Sequence, residues 1–154
     1  MNRLQRKLNT FIRQSRLSQI LLLPAWCLTG LARAMVLMLP FKSYASVLGR
    51  YAGLSSVIPL AEDRHYQTAL SIGRAVRMAA TITPWQANCQ AQAIAARCLL
   101  GLFGVPYTVF YGVANAPEQA MKAHAWVCCG PVPVTGGYAF DEFTVVAVFT
   151  SRRL

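Results

Sequence analysis

The hydrophobic period of this chain changes at one place, and that change decides what kind of fold it can make. Up to Leu102 the apolar residues recur at helical spacing. Beyond Gly104 and Pro106 they alternate. Ala69, Leu70, Ile72, Ala75, Val76 and Ala79 give a helix over 62–80, with Glu62 and Asp63 at its positive end and Arg74 and Arg77 in its second half. Ala91, Ile94, Ala95, Cys98, Leu99 and Leu102 predict a second helix, punctuated by Pro84 and Asn88 before it and by Gly104 and Pro106 after it. The runs 106–113, 121–129, 131–135 and 142–149 are rich in β-formers, and Asn115-Ala116-Pro117 and Gly136-Gly137 mark turns. Helices that feed a series of short, closely connected strands make an α+β domain with an antiparallel sheet. No repeat or low-complexity tract interrupts the pattern, and 154 residues is one domain's worth.

The N-terminal third differs in character. Residues 2–16 read as a basic amphipathic helix with Leu4, Leu8, Phe11 and Ile12 apolar; residues 18–39 are nearly all apolar. A run of about 20 apolar residues is long enough to span a bilayer, but Pro24, Gly30 and Arg33 interrupt this one. The reading preferred is a buried or partner-facing helix; a membrane-associated helix and a cleaved signal are the alternatives. A cleavage site is poorly formed, since arginine occupies the middle of Ala32-Arg33-Ala34. Pro40 ends the helix, and 41–60 reads as a short helix plus loop. The division expected is therefore 1–61, a basic apolar helical segment for docking and substrate delivery, and 62–154, the catalytic domain. Hydrophobic residues make up 55% of the chain and charged ones 13%, about half the ordinary share of charge, so a membrane contact or a partner surface is expected. Residues 1–61 hold eight Lys/Arg and no acid; residues 62–154 hold seven Lys/Arg and five Asp/Glu. Such a segment favours acidic partners. No zinc-finger spacing, RNA-binding aromatic motif or reading helix accompanies it, so nucleic acid is not expected.

Five cysteines, Cys27, Cys89, Cys98, Cys128 and Cys129, form no regular framework, which argues for a reducing, cytoplasmic setting. Adjacent Cys128 and Cys129 would point to opposite faces of a strand, and no CxxC pair exists, so neither metal nor cofactor is expected. Cys89 falls in the first turn of its helix, where the dipole and free N–H groups stabilise a thiolate and can hold an oxyanion. His124 lies within a strand and could serve as its base, with Asp141 or Glu142 downstream to orient the ring. The plainer alternatives stand beside this. A free cysteine is ordinarily a small buried hydrophobe, the reading taken for Cys27, Cys98, Cys128 and Cys129, and a lone strand histidine is ordinarily structural. His65, among Glu62, Asp63 and Arg64, reads as solvated.

The run NCQAQAIAARCLLGLFGVPYTVFYGV, then AHAWV, VTGG and FTVVAVF, resembles the leader peptidases of lasso-peptide biosynthesis, a group of transglutaminase-like, papain-like cysteine hydrolases. The resemblance covers about residues 74–150, with the segment 2–50 also similar. It implies a helix bearing Cys packed on a small antiparallel sheet. It implies Cys89 as nucleophile and His124 as base, with Gln86 as an oxyanion donor; the third member's role passes to Asp141 or to water. The activity implied is thioester formation at the leader–core junction, followed by hydrolysis. Its implied partners are the precursor's leader, a separate winged-helix recognition protein and a lasso cyclase. Two features depart from the pattern. Gln90 stands where Leu is usual, and the stretch Val134-Thr135-Gly136-Gly137 lacks the acid that many relatives carry there. The alternatives are another transglutaminase-like amidase or acyltransferase, and a non-catalytic binding module of the same fold.

Overall fold

A computed structural model describes residues 9, 11–55, 58–116 and 119–151, with the backbone alone at 115, 116, 119 and 120. Most of the amphipathic helix read over 2–16 therefore lies outside the described residues. Five α-helices follow in order among the described residues: α1 (Arg16–Ile20), α2 (Leu22–Met38), α3 (Phe41–Tyr44), α4 (Asp63–Ile82) and α5 (Cys89–Leu102). A 3-10 turn (Ala45–Leu48) and the short strand β1 (Arg50–Tyr51) stand between α3 and α4. The chain ends in β2 (Thr108–Ala116), β3 (Gln119–Cys129), β4 (Val132–Thr135) and β5 (Thr144–Thr150). All pairings are antiparallel, in the order β1-β5-β2-β3-β4, so the molecule is α+β. The apolar run 18–39 is not one helix but two, α1 and α2, meeting at Leu21. Pro24 causes no break, because it falls in the first turn of α2, where helix N–H groups have no partner to lose. β1 was not foreseen, since two residues are too few to show a period.

Strand alternation divides the sheet's side chains into two clusters. Ala125, Val127 and Cys129 face the helices with Val109, Val134 and Phe149, against Ile72, Val76, Ile94 and Leu99. Trp126 and Cys128 face the other way, with Phe110, Ala139 and Val148. The predicted opposition of Cys128 and Cys129 is thus realised. Helix α2 joins the first cluster through Ala25 and Ala32, with buried Thr29 between them, and packs on α4 and α5. Leu21, Ala25, Ala32, Tyr44 and Leu48 thereby share one core with residues from 62 onward.

At the start of α4, His65 is not merely solvated. Its Nδ1 accepts from the Glu62 backbone N–H at 3.0 Å, and the Glu62 side chain accepts from the backbone of His65. The pair forms a reciprocal cap in which histidine fills the place usually taken by Glu or Gln.

Candidate active site

Cys89 is the first residue of α5. The turn that delivers it is held by its own side chains and by α2. Asn88 caps the helix, its Oδ1 accepting from Ala91 N–H at 3.0 Å, and the Gln92 amide donates to Ala87 O at 2.8 Å. Trp85 packs on Trp26 of α2, ring centroids 4.5 Å apart, over Gly30, where an added Cβ would come within 2.9 Å of the indole. The apolar N-terminal segment therefore buttresses the approach to the cysteine.

The half-buried Cys89 packs against the helix-side cluster. Beside it lie three polar groups that sequence reasoning did not assign. The Gln90 amide donates to the hydroxyl of buried Tyr44 at 2.5 Å. The Tyr111 hydroxyl is buried and makes no hydrogen bond. Burial pushes its pKa well up, the Gln90 amide opposes this, and the negative charges that Tyr44 and Cys89 can carry add to it. Tyr44 is raised too, by burial, with Gln90 opposing. Gln90, a departure from the expected Leu, thus has a structural partner. That departure, together with the tyrosine ahead of Gly112 in the second strand, was the signal available in the sequence.

His124 lies on β3 opposite Gly112. Its ring stacks on Trp126 (5.9 Å between centroids, 20° between planes) and leans on Phe143 at 5.0 Å. Its Nε2 is 2.9 Å from the carbonyl oxygen of Gly136. A carbonyl can only accept, so the proton belongs on Nε2 and the basic lone pair on Nδ1. The carbonyl sits in the stretch where the resemblance would place an acid, and it does the orienting an acid would do. Gly136 has a φ of +79°, and a Cβ there would lie 2.5 Å from Trp126 Cβ and 2.6 Å from Ala125 O, so no other residue fits without displacement.

The structure does not bring all the expected residues together. His124 shares the face of Trp126, whereas Cys89 packs with the residues of the opposite face. No hydrogen bond joins them, although Tyr111, beside Cys89, is paired with Ala125, the residue after His124. Asp141 and Glu142 are exposed in the turn before β5, and neither reaches the imidazole, whose one hydrogen bond goes to Gly136. Gln86 is exposed, its carbonyl accepting from Asn88 N–H at 3.0 Å. Cys128 and Cys129 are buried thiols, both pushed up to about 11 by desolvation. Cys128 also lines an apolar cavity of about 270 Å³ with Ile58, Phe110, Pro131 and Phe140.

Comparison with known proteins adds one finding at the family level. The model of the transglutaminase-like superfamily matches residues 35–148, most of the chain, starting within α2. No curated protein and no solved structure matches.

Proposed function

The chain belongs to the transglutaminase-like superfamily, a fold typical of cysteine hydrolases and acyltransferases, and from that premise we propose that it is a cysteine peptidase that removes the leader from a lasso-peptide precursor. The observation that carries this reading is Cys89 as the capped first residue of α5, set beside polar groups in an otherwise apolar core. Its thiolate attacks the carbonyl at the leader–core junction. Nδ1 of His124 takes up and returns the proton, with Nε2 held by Gly136. The thioester is hydrolysed, and the core peptide leaves with a free α-amine for an ATP-dependent cyclase. Asp141 takes no part in these steps, since it is exposed and does not reach the ring. The two side chains pack with opposite faces of the sheet, so this reading requires a movement of β3 or of the start of α5 that brings the imidazole and the sulfur together when precursor binds.

The outer face of α2 exposes Leu23, Leu31, Leu37 and Met38 in a segment without acids. That combination fits a leader-recognition protein with an acidic, apolar-edged face. The unmade Cys89–His124 contact favours a second reading, a binding module that keeps the fold without the chemistry. Incubating purified protein, recognition protein and precursor, with cleavage followed by mass spectrometry, separates the two. Cys89→Ala and His124→Ala should each abolish cleavage while the fold persists, by comparable factors because one catalytic unit is lost either way. Undiminished cleavage by Cys89→Ala would sink the peptidase reading. Leader binding without cleavage by the unaltered chain would establish the module.

A further inference from the structure

Tyr111 carries a buried hydroxyl with no hydrogen-bond partner. Leaving such a group unpaired destabilises the fold, and phenylalanine would avoid the cost. The ring needs no hydroxyl to hold its place: Phe41 meets it edge-on at 5.3 Å and Phe149 at 6.0 Å. The Gln90 amide, which donates to Tyr44, can offer Tyr111 only a further N–H, so the phenol's own proton still has no acceptor. An unsatisfied donor at this position is explained if its acceptor arrives only during the reaction, and the acceptor that arrives at Cys89 is an acyl oxygen.

We propose that the Tyr111 hydroxyl donates a hydrogen bond to the oxyanion formed when Cys89 attacks a carbonyl. The inference rests on Cys89 being the nucleophile. In that step the Sγ–C bond forms and the C=O π pair moves onto oxygen, where the Tyr111 O–H and the Cys89 backbone N–H receive it. On collapse the pair returns, the bond to the leaving group breaks, and the proton it needs comes from the base. Tyr111 keeps its own proton throughout, as a phenol held up by burial should. The donor that sequence resemblance suggested, Gln86, is exposed by contrast.

Two probes test this on the full chain. p-Nitrophenyl acetate acylates a thiolate through a tetrahedral oxyanion; iodoacetamide alkylates it without one. Both rates are read at Cys89 by mass spectrometry, in the unaltered chain and in Tyr111→Phe. The expected result is an acylation rate about 10²-fold lower, an unchanged alkylation rate, and a thermal midpoint equal or higher because the orphan hydroxyl is gone. An unchanged acylation rate would overturn the proposal. So would an equal fall in both reactions, which would mean that Tyr111 acts on the sulfur or on the packing around it. If neither reagent labels Cys89 in the unaltered chain, the nucleophile assignment fails and the oxyanion role with it. If Cys89 is labelled and only the Tyr111→Phe contrast is missing, the nucleophile stands alone.

Discussion

The bond between Nε2 of His124 and the carbonyl of Gly136 replaces an ionic interaction with a neutral one. A carbonyl fixes the tautomer as a carboxylate does, but stabilises the imidazolium less. Asp141→Asn and Glu142→Gln should therefore leave cleavage close to the unaltered level. A large loss in either would mean that the turn before β5 closes on the ring during turnover. The two neighbouring glycines make a sharper pair. Gly136→Ala should destabilise the fold by about 1–3 kcal/mol and cost most of the activity, because its backbone is left-handed and its Cβ meets Trp126. Gly137 is also left-handed but faces open space, so Gly137→Asn should cost under about 1 kcal/mol in a denaturant titration. The buried thiols give a pH prediction. Cys128 and Cys129 are raised from 9.0 to about 11, so the folded state holds their protons more tightly than the unfolded state. Their contribution is fully present below pH 9 and is lost as pH rises toward 11, on the order of 2–3 kcal/mol for each thiol. Urea midpoints measured from pH 8 to 11 should fall, and Cys128→Ala should flatten part of that fall.

Among the elements, α4 governs the approach to His124 from a distance. β4 is a four-residue edge strand, and the Arg77 guanidinium of α4 donates to the carbonyl of Val134 on it. Gly73 lets the helix come close enough for this, since a Cβ there would lie 2.5 Å from the same oxygen. Gly73→Ala should push β4 outward, cost about 1–3 kcal/mol, and disturb the Gly136 turn two residues beyond Val134. The last effect would be seen as a shift in the His124 ring resonances by NMR. The sequence made much of this layer legible. The helix read over 62–80 corresponds to α4, and the four β-rich runs correspond to β2 to β5, because long periodic segments carry their own signal. Cys89 at a helix start was legible from Asn88 and the QA-rich run. The face that His124 occupies was not, since the type and position of a strand residue say nothing of which cluster its neighbours join. Gly136 as the ring's partner was hidden for a related reason: a backbone carbonyl leaves no mark in residue type. Tyr44 and Gln90 pair across 46 positions, beyond any local pattern.

At the scale of the molecule, 17 residues of α2 extend about 25 Å, short of the roughly 30 Å bilayer core, and no helix among the described residues is long and apolar enough to cross a membrane. Its outer residues are exposed, Leu23 at 68% and Leu31 at 66%. Leu23→Glu with Leu31→Glu should leave folding and iodoacetamide labelling of Cys89 unchanged and lower partner-assisted cleavage at limiting recognition protein by about tenfold, near 1.4 kcal/mol of lost docking. Raised salt should act in the same direction if the acid-free segment steers the encounter. Retention in washed membranes, lost in the double variant, would assign the face to lipid instead. The strand β1 sets a further condition on how the molecule comes into being. Arg50 pairs with Thr150 and Tyr51 with Phe149, so a piece of the first third is seated against the final strand. During synthesis the sheet edge that receives β1 does not exist until β5 has left the ribosome. Until then Phe41 and Tyr51 lack the Phe149 ring against which both pack, and a nascent chain in this state should depend on chaperones far more than its modest length would suggest.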